Sequence, residues 1–175
     1  MPRPLLPSVR RQGSRAVQHH LGELIYDYDD PLTALTPGGR KWALIKGGGD
    51  FPEMAGPMFV TYDDLDPDEP ARFGLRVQPH HCNAVDTTHG GMLGTFLDTA
   101  FAQGLLASRR LEWNVPTIHL SVDFLGPSGV GDWLESRVKL THDTRRMAFM
   151  AGVILCGDRP VLRGQAIFKI KPLEK

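Results

Sequence analysis

The chain has 175 residues, 41% hydrophobic and 23% charged, a length that suits one domain able to bury its own core. Its 20 Lys+Arg balance 20 Asp+Glu, which argues against a nucleic-acid binder, and no apolar run approaches the roughly 20 residues of a membrane-spanning helix. Two cysteines, Cys82 and Cys156, make no disulfide framework and suit a reducing compartment, so the expectation is a soluble cytoplasmic protein with neither nucleic-acid nor membrane partner.

Residues 1–55 read as an N-terminal arm, partly flexible. Arg3, Arg10, Arg11 and Arg15 precede the first acidic residue, Glu23, as in an organelle transit peptide. Pro2, Pro4, Pro7 and Gly13 would break the amphipathic helix of such a peptide, which favours a disordered tail. His19–Tyr28 allows a short helix. Gly47-Gly48-Gly49 reads as a flexible connection, because neither Lys-Ser/Thr nor a helix start follows it.

Residues 56–172 read as the functional domain. Pro57–Tyr62 suits a strand, and Phe73, Leu75 and Val77 alternate with Gly74, Arg76 and Gln78 as in a half-buried one. Met92–Ala107 is long, apolar and rich in Ala and Leu, so it predicts a helix. Four strand-like stretches follow: Ile118–Phe124, Trp133–Leu140, Met147–Cys156 and Val161–Ile170. Met147–Cys156 is almost wholly apolar and suits a central strand covered on both faces. Two strands, one helix and four strands exclude alternating βαβ units and predict an α+β fold, an antiparallel sheet packed on one helix.

One helix residue is out of place. Asp98 lies in Phe96-Leu97-Asp98-Thr99-Ala100-Phe101, in a segment apolar nearly all round and therefore predicted to be buried. An ionised carboxylate there is costly unless paired or hydrogen-bonded. It is either a structural Asp bonded to backbone or Arg, or a catalytic group whose pKa its surroundings tune. Upstream, His89-Gly90-Gly91 should form the first helical turn, with Thr87 or Thr88 near the cap. Unpaired N–H groups and the positive dipole end could stabilise a carbonyl oxygen gaining negative charge there. From Gly90 to Asp98 is 98 − 90 = 8 residues, about 12 Å of α-helix, too far for one carbonyl to touch both. If both serve one reaction, Asp98 must come from a second copy, with Gly94 and Gly104 easing the approach of two antiparallel helices.

Other constellations are weaker. His80-His81-Cys82 with His89 invites a metal site, but adjacent strand residues point to opposite faces and do not converge. No metal or cofactor is expected. Cys82 and Cys156 read as small structural thiols. No Gly-x-Ser-x-Gly elbow is present, which removes the α/β-hydrolase route. Arg145 and Arg146, near a turn, could reach phosphates or stay solvated.

The run Asn83-Ala84-Val85-Asp86-Thr87-Thr88-His89-Gly90-Gly91-Met92-Leu93-Gly94-Thr95-Phe96-Leu97-Asp98 resembles the signature of PaaI-type, 4-hydroxybenzoyl-CoA-thioesterase-like hotdog acyl-CoA thioesterases. The likeness continues through Leu125-Gly126-Pro127 and Gly131-Asp132 and covers roughly residues 55–172. Asp86 stands where related sequences often have Gly, and Thr88 where they have an apolar residue; Asp tolerates a left-handed turn. The resemblance implies a hotdog fold, an antiparallel sheet wrapped around a long central helix, and hydrolysis of an acyl-CoA thioester to free acid and coenzyme A. It implies a site shared across a homodimer, alone or paired into a tetramer. The Gly90 N–H polarises the carbonyl, with Gly91 beside it. Asn83 and His89 hold the loop and the thioester end. By the same resemblance Asp98 from the partner would act as nucleophile or general base, and Thr117 would orient water. Arg145 and Arg146 remain candidates for coenzyme A phosphates. Hotdog proteins also include non-catalytic acyl-CoA sensors, so a binding module without chemistry is the alternative expectation.

Overall fold

The computed structural model describes residues 24–109 and 115–170. Among the described residues eight strands form one antiparallel sheet: β1 (Ile25–Asp27), β2 (Ala43–Lys46), β3 (Met58–Thr61), β4 (Arg72–Arg76), β5 (Thr117–Phe124), β6 (Trp133–Asp143), β7 (Met147–Cys156) and β8 (Arg159–Lys169). Their order across the sheet is β1-β2-β3-β4-β6-β7-β8-β5. A short helix α1 (Asp50–Ala55) and the long helix α2 (Gly90–Arg109) complete the frame.

Alternation explains the strands, and the helix explains which face is wet. Leu134, Val138, Met150, Ile154, Leu162, Ala166 and Phe168 point inward and are buried beneath Phe96, Leu97, Phe101 and Leu105 of α2. β7 is central, between β6 and β8, as its apolar run suggests, yet only one face is fully covered. The reason is that a single helix lies on one side of the sheet, so alternate β7 positions stay partly exposed. On the opposite face Trp42, Leu44 and Phe59 make a small second core with Trp133.

The helix lies close because two glycines face each other beneath it. Gly152 and Gly164 pair across β7 and β8. A Cβ at Gly152 would stand 2.9 Å from the Phe101 ring, and one at Gly164 would stand 2.8 Å from Leu97 Cδ2 and 2.6 Å from the Ser121 carbonyl oxygen. Gly164→Ala should therefore overpack the helix–sheet seam and destabilise by about 1–3 kcal/mol. A fall in the urea midpoint without change in slope would register it.

The N-terminal segment departs most from the sequence reading. Ile25–Asp27, within the stretch read as a short helix, is a strand paired to β2, and residues 19–23 lie outside those described. The arm thus adds two strands to the six read from the sequence. The sheet edge supplies β1 and β2 with hydrogen-bond partners that local propensity cannot reveal. After the triple glycine a helix does begin. Gly47, Gly48 and Gly49 take φ of 86°, 87° and 103°, and α1 starts at Asp50. The first 23 residues, including the Arg- and Pro-rich stretch, also lie outside those described. Among the described residues no helix is long and apolar enough to cross a membrane.

Candidate active site

The loop before α2 is built by its own polar side chains. Asn83 Oδ1 accepts from the backbone N–H of Val85 (3.1 Å) and Thr87 (3.2 Å) and from the Thr87 hydroxyl (3.1 Å). This is an Asx-type turn, in which a short side chain replaces a backbone acceptor. Asp86 sits within it at φ 58°, the left-handed conformation that Asp tolerates. Thr88 N–H donates to the Ser128 carbonyl (2.7 Å), and the Ser128 hydroxyl donates to Thr88 Oγ1 (2.7 Å), so the loop is riveted to the turn before β6.

The residue before the helix is His89, with the threonines Thr87 and Thr88 just ahead of it. His89 Nδ1 accepts the Gly91 N–H at 2.9 Å. Thr87 is engaged with Asn83 and Thr88 with Ser128, so neither reaches the helix terminus. With Nδ1 accepting, the ring proton belongs on Nε2 of the exposed His89. The Gly91 amide is thereby committed within the turn. Gly90, the first helical residue, has the Phe124 ring beside it, 3.0 Å from where a Cβ would stand.

Asp98 lies two turns further along α2, half-buried rather than wholly enclosed. Met92, Thr95, Asp98, Thr99, Ala102 and Leu106 form a stripe that the sheet leaves partly open, so the helix is not buried all round as its composition suggests. The Thr117 hydroxyl donates to Asp98 Oδ1 at 2.9 Å within the same chain. Burial pushes the Asp98 carboxyl above its usual 3.8, and the Thr117 hydroxyl, which favours the ionised form, opposes that rise.

Asp98 also lines a cavity of about 600 Å³. Ala102 and Leu106 continue its helical wall, and Ile45 of β2, Pro52 of α1 and Met58 of β3 face them. Gln103, buried among apolar neighbours, is held by the Tyr26 hydroxyl at 3.0 Å across 77 residues. These N-terminal lining residues escape a reading of motifs. The available signal is the spacing of Ala102 and Leu106 at four and eight positions after Asp98.

β5 ties the two halves of the site together. Its first residue, Thr117, bonds Asp98, and its last, Phe124, lies against Gly90. Within one chain Gly90 and Asp98 remain separated by eight helical residues, about 12 Å. Gly104 does not face outward: a Cβ there would meet Val138 at 2.8 Å, so it serves the packing of α2 on its own sheet. Gly94 does face open space.

Arg145 and Arg146 are exposed in the β6–β7 hairpin, where the Arg146 carbonyl accepts from Ile170 N–H at 2.8 Å. Ala148, two residues on, pairs with Phe168, which pairs in turn with Thr117. The arginines therefore stand at the Thr117 end of the sheet, with β8 between their hairpin and β5. Among the described residues no group of three His, Cys, Asp or Glu could hold a metal ion. His81 is buried with both ring nitrogens in use: Nδ1 accepts from Gln78 N–H (3.0 Å) and Nε2 meets the Gly56 carbonyl (3.2 Å). Burial, with neighbouring His80 adding to it, holds its pKa below the usual value.

Residues 86–162 match the model of the Thioesterase superfamily. A candidate esterase of Pseudomonas aeruginosa is 31% identical over 118 residues, covering 67% of this chain and 86% of that protein. A mutant of the phenylacetic acid degradation protein PaaI from Thermus thermophilus superposes with TM-score 0.59 at 24% identity, covering 69% of this chain and 98% of that one. A hypothetical thioesterase from Streptococcus pneumoniae, solved with coenzyme A, gives 0.57 at 18% identity, covering 67% and 88%. Both structures share the hotdog frame of a long helix on an antiparallel sheet. Sequence match and fold agree: this chain belongs to the thioesterase superfamily and is a hydrolase acting on thioester bonds.

Proposed function

We propose that the protein hydrolyses acyl-CoA thioesters to a free carboxylic acid and coenzyme A, at two sites each shared between two copies of the chain. The observation that carries this reading is that Asp98, hydrogen-bonded by Thr117, lines a largely apolar cavity. A thioester hydrolase needs a base or nucleophile beside a place for an acyl group, and both lie together here. The coenzyme A bound to the Streptococcus pneumoniae relative supports coenzyme A as the thiol half.

Sharing between copies follows from the edge strand. Among the described residues β5 is paired on one side only, to β8, and its Ile118 and Phe124 are 56% and 58% exposed. Such an edge invites a further strand. A second β5 added antiparallel about a two-fold axis would set the Thr117 end of one copy beside the Phe124 end of the other. Asp98 of one chain would then face Gly90 of its partner, closing the gap that a single helix leaves open.

The proposed chemistry balances simply. Water attacks the carbonyl carbon while its proton passes to the Asp98 carboxylate. The carbonyl oxygen takes up negative charge against the partner's Gly90 N–H, with Asn83 and His89 holding that turn in place. The C–S bond breaks, and the coenzyme A thiolate recovers the proton as the free acid leaves. In the nucleophilic variant Asp98 itself attacks, and water cleaves the resulting anhydride. Arg145 and Arg146 are suited to phosphates of coenzyme A. A sensing module without turnover is the less supported reading, because the family and the Asp98–Thr117 pair both speak for chemistry. Thiol release measured over a panel of acyl-CoA esters tests the proposal. Hydrolysis that Asp98→Asn abolishes supports it, and no release from any ester overturns it.

Thr117 should set the working pH range. Activity needs ionised Asp98, so kcat/KM rises with pH through the Asp98 pKa. Thr117→Val removes the hydroxyl that lowers that pKa, so the acid limb should move to higher pH. Thr117→Ser should restore it. A pH–rate profile decides, and an unmoved acid limb would show that Thr117 does not act through Asp98.

A further inference from the structure

We propose that the cavity beside Asp98 is an acyl-chain pocket for an uncharged, medium-length group, with its outer wall supplied by residues before the family core. The proposal rests on the acyl-CoA thioesterase reading above and adds the acyl half of the substrate. A volume of about 600 Å³ is typical of a small-molecule site, where roughly 300–1,000 Å³ is usual.

Its length follows from the helix. Asp98, Ala102 and Leu106 line one wall. From Asp98 to Leu106 is 106 − 98 = 8 residues, about 12 Å along α2. An extended chain covers about 3.5 Å per three bonds, so roughly ten bonds fit between the carboxylate and Leu106. An acyl group near ten carbons would place its carbonyl at Asp98 and its tail at Leu106.

Its chemistry follows from the lining. Ile45, Pro52, Met58, Ala102 and Leu106 are apolar. Lys46, the cation among the lining residues, is held by Asp27 (2.8 Å) and Asp30 (2.7 Å) and has no need of a substrate carboxylate. Gln103 is already bonded to Tyr26. A second carboxylate on the acyl group would thus enter without a free positive partner among the described lining residues and lose its hydration. Ile45 and Pro52 of the opposite wall lie in the N-terminal arm, before both the family-matched span 86–162 and the domain read as 56–172, so part of the selectivity is assigned to that arm.

The experiment compares kcat/KM for straight-chain acyl-CoA esters from acetyl to palmitoyl, and for succinyl-CoA against butyryl-CoA. The expected result is an optimum near decanoyl and a preference of about tenfold or more for butyryl over succinyl. Ala102→Leu fills the pocket halfway along from the helix side, and Ile45→Phe fills it from the N-terminal wall. Each should lower the decanoyl-to-butyryl ratio by about tenfold or more, in the range that a few methylenes command in an apolar pocket. Circular dichroism and melting confirm that both variants are folded. A flat chain-length profile, or a ratio moved by neither folded variant, overturns the pocket while leaving thioesterase activity standing. Absence of hydrolysis of every acyl-CoA ester would instead sink the underlying reading.

Discussion

Asp98→Asn should lower kcat by about 10²–10⁴-fold, the loss typical of removing a general base, while the fold and the oligomer persist. The shape is nearly unchanged, and the Asn carbonyl oxygen can still accept from the Thr117 hydroxyl. The same variant should melt higher than wild type at neutral pH. Burial raises the Asp98 pKa above 3.8, so the folded state holds the proton more tightly than the unfolded state does. Stability is full below the unfolded value, and it falls as pH rises from there through the folded pKa. At pH 7 the ionised carboxylate therefore costs stability, and Asn removes that cost. The difference in Tm should shrink as pH falls through the folded Asp98 pKa and vanish below 3.8. Melting across pH, beside a steady-state assay and size-exclusion chromatography, reads all three effects. Activity retained in the folded variant would remove Asp98 from the reaction. A single turnover in ¹⁸O water can identify the nucleophilic role: label entering the Asp98 carboxylate shows that this carboxylate attacked the carbonyl and that water then cleaved the anhydride at the aspartyl carbon.

Gly90→Pro should lower kcat by about 10²–10³-fold, the usual loss on removing one donor from an oxyanion hole. Proline deletes the N–H, yet it suits the first position of a helix, where its φ is already helical. Gly90→Ala is the control. It places a Cβ against Phe124 just as proline does, 3.0 Å from the ring, but keeps the amide. The difference between the two variants isolates the N–H from the crowding. Mixing inactive Gly90→Pro with inactive Asp98→Asn should restore activity, because a mixed dimer contains one site with Gly90 from one chain and Asp98 from the other. No recovery on subunit exchange would refute a shared site.

Much of the candidate site is legible in the sequence because its signals are local. A carboxylate in an apolar helix, a His-Gly-Gly turn at its start and the eight-residue interval between them are all read along one element. The alternation of Leu120 and Val122 likewise marked the inward face of β5. What escaped depends on distant neighbours. Ile118 and Phe124 share that alternation yet are exposed, because β5 lies at the edge of the sheet. That Ser128, forty residues away, bonds Thr88 beside the helix start is likewise invisible to local sequence. Gly104 and Gly94 are alike in sequence, and only the packing of Val138 against Gly104 tells them apart.

The 175 residues with zero net charge determined by themselves the long helix, the strands that follow it and the eight-residue interval between Gly90 and Asp98. Helical rise and strand alternation are properties of short stretches, so they are written in the chain. Only the tertiary structure decided that the N-terminal arm joins the sheet, that Thr117 meets Asp98 across 19 residues, and that Tyr26 holds Gln103 across 77. Those contacts arise from closing long loops onto a common core. No local periodicity encodes which distant side chain completes a cavity.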